Sequence, residues 1–154
     1  MQEQVKYLLN PYRVLDLSDR KGLFCGKILA QLGAEVIKIE KPGGDSARNI
    51  GPFYHDIPDP EKSLFWFAYN AGKKAVTLNI KAEEGRKLLL ELVKRSDVLI
   101  DILSKQTIYT LGIGYSQLQE INPRIIMTSI TPFGREGPYR EYKGSDIVVI
   151  ALGG

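Results

Sequence analysis

One cysteine, one histidine and one tryptophan stand in a chain of 154 residues, and no long apolar run or block of like charge accompanies them. A single thiol, Cys25, excludes an intrachain disulfide and suits a reducing compartment. No stretch approaches the length of a membrane span, and the leading MQEQVKYLLNPYR lacks the apolar core of a signal peptide. A soluble cytoplasmic protein without membrane contacts is therefore expected. Charge of one sign is also scarce. A net charge of +3, with lysines and acids interspersed, describes a solvated surface with local basic spots and makes no case for nucleic acid. Internal repeats and low-complexity tracts are lacking too. With 44% hydrophobic and 25% charged residues, what remains has the composition of one ordinary globular domain with a real core.

Apolar segments alternate with amphipathic ones along the chain. Residues 13–17 (RVLDL) read as a strand, and 24–32 (FCGKILAQL) as a helix with Phe24, Ile28, Leu29 and Leu32 on one face. Gly33 stops that helix, and 35–40 is the second strand. The stretch 41–62 is a long, proline-rich loop without periodicity, and loops of that length are usually functional or mobile. Residues 63–70 (SLFWFAYN) form a short aromatic helix or turn, and 75–80 (AVTLNI) a third strand. A helix over 82–95 places Leu88, Leu89, Leu92 and Val93 on one side, with Glu84, Lys87, Glu91 and Lys94 around the other. Strands over 98–103 and 125–130 flank a short helix at 115–120, and 147–154 begins another helix. Strands separated by such helices imply parallel pairing through right-handed crossovers. The expected fold is thus α/β and Rossmann-like, a mainly parallel sheet with flanking helices.

In a sheet of this kind ligands bind outside the carboxyl ends of the strands. Charges crowd one such end in VIKIEKPGGDSAR, residues 36–48. Glu40 stands where a dinucleotide-binding fold keeps its ribose-binding acid, yet the phosphate fingerprint G-x-G-x-x-G should then follow the first strand. DLSDRKGLFCG offers only Gly22 and Gly26 there, so a nicotinamide-dependent dehydrogenase loses its main support. Residue types alone leave Glu40 as a strand-ending acid and Lys41 as a solvated charge. The strand ends taken together say more. Lys21 follows strand one, Lys41 and Arg48 strand two, Lys81 strand three, and Lys143 lies beyond strand five. Topology brings several of these to one sheet edge, where they suit an anionic ligand carrying phosphates.

The series VLDLSDRKGLFCGKILAQLGAEVIKIEKPGGDSAR, SLFWFAYNAGKKAVTLNIKAEEGRKLLLELVKRSDVLI and LGIGYSQLQEINPRIIMTSITPFGREGPYREYKGSDIVVIALGG resembles the amino-terminal part of the family III CoA-transferases. This is the CaiB/BaiF group, which includes formyl-CoA transferases and α-methylacyl-CoA racemases. The likeness covers nearly the whole chain after about residue 12, and its specific part is LGAEVIKIEKPGGD, N-x-x-K-x-x-x-x-L and FGREGPY in that order. It implies that residues 1–154 are the CoA-binding, amino-terminal portion of such an enzyme, incomplete relative to the family's full domain. By the resemblance Lys41 lies near the CoA phosphates, as a point charge without the bidentate geometry of arginine. Pro42, Gly43 and Gly44 would turn the backbone without crowding the nucleotide. Arg48 is either a second phosphate contact or the ion-pair partner of Asp45. Lys21 and Gly22 match a CoA-contacting loop, and Leu78, Asn79, Ile80 and Lys81 match the segment that holds the adenine end.

Two departures from the family pattern follow. After strand four the family shows E-N-F-x-P-G and a downstream arginine, and its Asn and Phe contact CoA. Here DILSKQTIYTLG puts Ile102, Leu103 and Ser104 in that CoA-facing stretch and Thr110 in the arginine's place, which removes two polar contacts and a charge. Racemases carry a catalytic histidine before an aspartate in a GHD motif. The matching residues Gly144, Ser145 and Asp146, beside Lys143, read GSD, and serine has no group that ionises near neutral pH to move an α proton. The lone His55 reads as an exposed loop residue.

Transferases of the family use an aspartate nucleophile that attacks the acyl thioester to give a mixed anhydride; CoA thiolate then re-enters, and the thioester is rebuilt on the acceptor acid. By the resemblance that aspartate lies downstream of Gly154, so no catalytic residue is assigned in this chain. Asp146 belongs to the CoA-facing segment, and Asp16, Asp19 and Asp45 are strand-end or turn residues. The expectation is the CoA-binding part of an enzyme that moves CoA between an acyl-CoA and a carboxylic acid without a metal, inactive by itself. A competing expectation is a non-catalytic subunit or binding module completed by a second polypeptide. The interlocked homodimers of the family imply exposed apolar surface and self-association in this portion.

Overall fold

Strands in this chain carry apolar residues on both faces, the pattern of a parallel sheet covered on both sides. The computed structural model, which describes residues 7–153, contains β1 (Arg13–Leu17), α1 (Leu23–Gln31), β2 (Glu35–Glu40), α2 (Leu64–Asn70) and β3 (Lys74–Thr77). These are followed by α3 (Glu83–Val93), β4 (Val98–Asp101), α4 (Lys105–Leu111), α5 (Tyr115–Ile121), β5 (Ile126–Ser129) and α6 (Asp146–Gly153). Neighbouring strands all pair in parallel, in the spatial order β3-β2-β1-β4-β5. The order reverses between β1 and β4, which sets a topological switch point at their carboxyl ends. The α/β, Rossmann-like expectation holds.

Register places Leu15 beside Ile37 and Leu99, and Asp16 beside Lys38 and Ile100. Alternation along each strand then sorts the core into two layers. Leu15, Leu17, Ile39 and Leu99 pack with Leu89, Val93, Ile108 and Leu118 of α3, α4 and α5. Val14, Val36 and Ile100 pack on the other face against Cys25, Leu29 and Ala30 of α1. Each fully buried leucine contributes about 1.5–3 kcal/mol relative to exposure.

Helix faces differ from the expectation. A Cβ at Gly26 would overlap the Asp16 carboxylate, so glycine there lets α1 sit close on the sheet. Leu23 and Gly26 are buried and Leu29 and Ala30 partly so, whereas Phe24, Ile28 and Leu32, expected inside, are exposed. In α3 likewise Leu89 and Val93 are buried while Leu88 is exposed. The apolar stripe of each helix is wider than the strip that this sheet covers.

Strand ends are shorter than the apolar runs suggest. β3 stops at Thr77, and Leu78, Asn79 and Ile80 form the following turn, with the Leu78 amide donating to the Glu40 carbonyl at 2.8 Å. β4 stops at Asp101. Residues 105–111, unassigned by the apolar pattern, form α4: Ser104 Oγ caps it by accepting from the Thr107 amide at 3.1 Å, and Gly112 ends it in the left-handed region, with φ 62°. Within 41–62, the segments Ser46–Asn49 and Tyr54–Asp56 are single 3-10 turns. Buried Ala47 pins that loop against Leu23 and Trp66.

Candidate functional site

Alternation in V-I-K-I-E puts Lys38 and Glu40 on the same face as Val36, where charges need partners to stay buried. The following loop supplies them. Lys38 Nζ donates to the Ser18 carbonyl and stands 3.2 Å from Asp45 Oδ2. Glu40 accepts from Arg48 Nε at 2.7 Å, from Arg48 Nη2 at 2.8 Å and from the Asp45 amide at 2.9 Å. Arg48 Nη1 reaches Glu61 at 2.9 Å, and the guanidinium lies 4.1 Å from the centroid of the Trp66 ring. The ion pair of Arg48 with Asp45 expected from the sequence is thereby corrected: Asp45 pairs with Lys38, and each Arg48 nitrogen bonds a carboxylate of Glu40 or Glu61. Burial pushes the Glu40 carboxyl up, but the Arg48 bonds, the Asp45 amide and the Arg48 and Lys38 charges outweigh it and hold the group below its ordinary 4.5.

Strands β1 and β4 end in the same manner. Asp16, fully buried, accepts from Lys73 Nζ at 2.8 Å and from the Ser18 hydroxyl at 2.5 Å. Desolvation lowers the Lys73 ammonium below its ordinary 10.5 despite the opposing pull of Asp16. Asp101 accepts from Ser129 Oγ at 2.8 Å, from the Leu103 amide at 3.0 Å and from Arg135 Nη2. Burial raises the Asp101 carboxyl above its ordinary 3.8, against the pull of Ser129 and Arg135. With these charges paired, Lys41 is exposed and has no ion-pair partner among the described residues.

A cleft of about 550 Å³ opens over the strand ends. Lys41, Pro42 and Ser46 line it after β2, Leu78, Asn79, Ile80 and Lys81 after β3, Ser18 and Asp19 after β1, and Ile102 and Leu103 after β4. Strand order therefore gives the cleft a cationic end over β2 and β3 and an apolar end over β4. Of the residues singled out in the sequence, Lys41, Leu78, Asn79, Ile80, Lys81, Ile102 and Leu103 come together here. Lys21, Gly22, Ser104, Thr110, Lys143, Gly144, Ser145 and Asp146 do not line it. Gly22 is buried against Ser18, where a Cβ would clash, and Gly144 packs on Pro132. Ser104 caps α4, Thr110 is exposed on that helix, Lys143 and Ser145 are exposed, and Asp146 opens α6.

Sequence reasoning passed over Ser18, Lys38 and Ser46 as cleft residues, and over Arg135 as a partner of Asp101. The signal for Lys38 was its phase with Val36; for Arg135 there was none, because it pairs across 34 positions of chain. His55 is exposed, its ring centroid 3.9 Å from that of Tyr54. Among the described residues no three metal-ligating side chains converge, and no helix is long and apolar enough to cross a membrane.

Comparison with known proteins gives a consistent result. The model of CoA-transferase family III matches residues 9–154. Succinyl-CoA:(R)-benzylsuccinate CoA-transferase subunit BbsE of Thauera aromatica is 38% identical over 143 residues, covering 93% of this chain and 35% of that protein. Formyl-CoA:oxalate CoA-transferase of Streptomyces coelicolor is 40% identical over 147 residues, covering 95% and 35%. The crystal structure of a CAIB/BAIF family protein from Brucella suis superposes with a TM-score of 0.84 at 35% identity, covering 93% of this chain and 38% of that one. The chain thus spans 35% of the length of the first curated relatives it matches.

Proposed function

Because the chain belongs to CoA-transferase family III, we propose that its strand-end cleft binds coenzyme A and that it forms the CoA-binding portion of an enzyme transferring CoA between an acyl-CoA and a carboxylic acid. The observation that carries this reading is the polarity of the cleft. Lys41 and Lys81 offer two exposed ammonium groups at one end, suited to the phosphates, and Ile102 and Leu103 offer apolar walls at the other, suited to the pantetheine arm. The thioester would then emerge over the ends of β4 and β5. Glu40 argues against the dehydrogenase alternative on physical grounds. Both its oxygens accept from Arg48 and it is 4% exposed, so a ribose hydroxyl would have to break into a buried ion pair to reach it.

The aspartyl-anhydride route assigns the nucleophile to a residue downstream of Gly154, and the chain alone is inactive on this reading. The exposed, non-ionising Ser145 in the racemase histidine's place turns the reading away from α-proton transfer. One relative is named as a subunit, which favours a second reading in which a separate polypeptide completes the site. Co-purification of a partner that restores transfer would distinguish it. A homodimer in the cytoplasm completes the first reading.

Calorimetric titration of the purified chain with CoA, 3′-dephospho-CoA and NADH tests the site. We expect CoA to bind, NADH not to, and Lys41→Ala to weaken CoA about tenfold, the loss of one charge-assisted contact of roughly 1.4 kcal/mol. CoA affinity indifferent to Lys41→Ala and to the 3′-phosphate would place the nucleotide elsewhere.

A further inference from the structure

Among the described residues the largest fully buried side chain belongs to a lysine, Lys38 on β2. Its ammonium donates to the Ser18 carbonyl, where the chain leaves β1, and stands 3.2 Å from Asp45 Oδ2, in the loop that follows β2. One cation thus joins two loops that belong to separate crossovers, and Ser18, Lys38, Asp45 and Lys41 all line the cleft. Replacing a buried ion pair by apolar side chains of similar volume is often neutral or stabilising, so stability alone gives little reason for an ammonium here. Geometry gives a better one. Between Glu40 and Asp45 runs the turn Lys41-Pro42-Gly43-Gly44, closed by the Gly44 amide donating to the Lys41 carbonyl at 2.9 Å, with φ 87° at Gly43 and 83° at Gly44. A Cβ at Gly43 would meet nothing within 4 Å, so the tip of the turn has little packing to hold it. Its upstream end is fixed by the Leu78 amide on the Glu40 carbonyl. Its downstream end is Asp45, whose amide donates to Glu40 Oε2 at 2.9 Å and whose carboxylate accepts from the Ala47 amide at 2.8 Å and meets Lys38.

We propose that Lys38 is a positioning residue for the nucleotide end of the cleft: by holding Asp45 and the Ser18 carbonyl together, it fixes where Lys41 presents its ammonium to a phosphate. This rests on the CoA reading and names what makes Lys41 effective in it. A lysine meets a phosphate as a point charge on a flexible stem, so the contact gains from every part of that stem's anchorage that is fixed before the ligand arrives. Lys41 makes no ion pair of its own among the described residues, and the two ends of its turn set its place. Lys38 has a second effect on the same site. Paired with it, the Asp45 carboxylate is turned to the cleft floor and neutralised; unpaired, it would set a negative charge in the cleft that has to accept phosphates.

The complete protein containing this chain, titrated calorimetrically with CoA, tests the proposal through a double-mutant cycle with Lys41→Ala. Lys38→Met and Asp45→Asn are combined, so that neither charge is left buried alone and the amide oxygen can still accept from the Ala47 amide. In the wild type Lys41→Ala weakens CoA about tenfold. In the Lys38→Met/Asp45→Asn background we expect the same change to weaken it by less than about twofold, the background having already lost most of that tenfold. A background that merely loosened the fold would lower the fraction of protein that binds and leave the effect of Lys41→Ala intact. An undiminished tenfold there would therefore overturn the proposal while sparing the CoA reading. Asp45→Ala cuts the tie from the other side, leaving Lys38 the Ser18 carbonyl, and decides in the same way if the combined variant fails to fold. Wild-type protein that binds no CoA, or binds it indifferently to Lys41→Ala, would remove both the CoA site over Lys41 and its positioning by Lys38.

Discussion

Glu40 is a carboxylate on the buried face of β2 whose ionised form persists because Arg48 meets both of its oxygens. Its folded pKa lies below the ordinary 4.5, so as pH falls through that region the unfolded chain takes up protons that the folded one refuses. The pair's contribution is complete above about 4.5 and is lost as pH falls through the folded value. Glu40→Gln should cost about 3 kcal/mol at pH 7 and flatten the acid limb of a stability curve measured by urea unfolding. Acid limbs running parallel in variant and wild type would show that other carboxylates set this dependence. Asp101 has the opposite sign. Its raised pKa means that the folded state holds the proton more tightly, so its contribution to stability declines as pH rises from 3.8 through the raised value. The sequence showed that 36–48 was charged; that Lys41, alone in this stretch, has no ion-pair partner among the described residues followed from distances no spacing rule encodes.

At the scale of elements, α3 is seated by one glycine. Gly85 lies beneath the Asn79 carbonyl, and a Cβ there would overlap that backbone oxygen. Alanine is the better helix former, yet a backbone atom cannot rotate aside as a side chain does. Gly85→Ala should therefore lose about 1–3 kcal/mol in thermal unfolding, and should weaken CoA binding because Asn79, Ile80 and Lys81 ride on the displaced turn. An alanine variant at least as stable as the wild type would show that the turn yields. Element type was readable from periodicity in β1, β2, α3 and α5. The buried face of α1 was not, because Phe24, Ile28 and Leu32 repeat as regularly as the residues that pack, and only the close approach at Gly26 selects between them. α4 was legible only in its ends, the Ser104 cap and the Gly112 stop, since its interior K-Q-T-I-Y-T-L gives a weak stripe.

The whole molecule leaves much apolar surface uncovered. Phe24 and Ile28 of α1, Phe67 of α2, Ile126 on the outer strand β5, and Ile147, Ile150 and Leu152 of α6 are exposed. Exposed apolar patches in general mark sites of association, and the expectation of self-association is tested directly. Sedimentation velocity on the 154-residue chain should show concentration-dependent self-association at micromolar levels. A monodisperse monomer across that range would contradict it. The same chain, free of contaminating enzyme, should transfer no CoA between acyl-CoA and acid; measurable turnover would place a nucleophile within residues 1–154.

Local order was set by the sequence alone: apolar runs of strand length separated by amphipathic helices admit a parallel sheet and few other arrangements, and the motif series identified the family. Which charges cancel was decided by the tertiary structure. Asp16 with Lys73, Lys38 with Asp45, Glu40 with Arg48 and Asp101 with Arg135 are paired by folding across 57, 7, 8 and 34 positions. Electrostatic pairing depends on distance in space, and a charge's neighbours along the chain say little about it once the strands lie side by side.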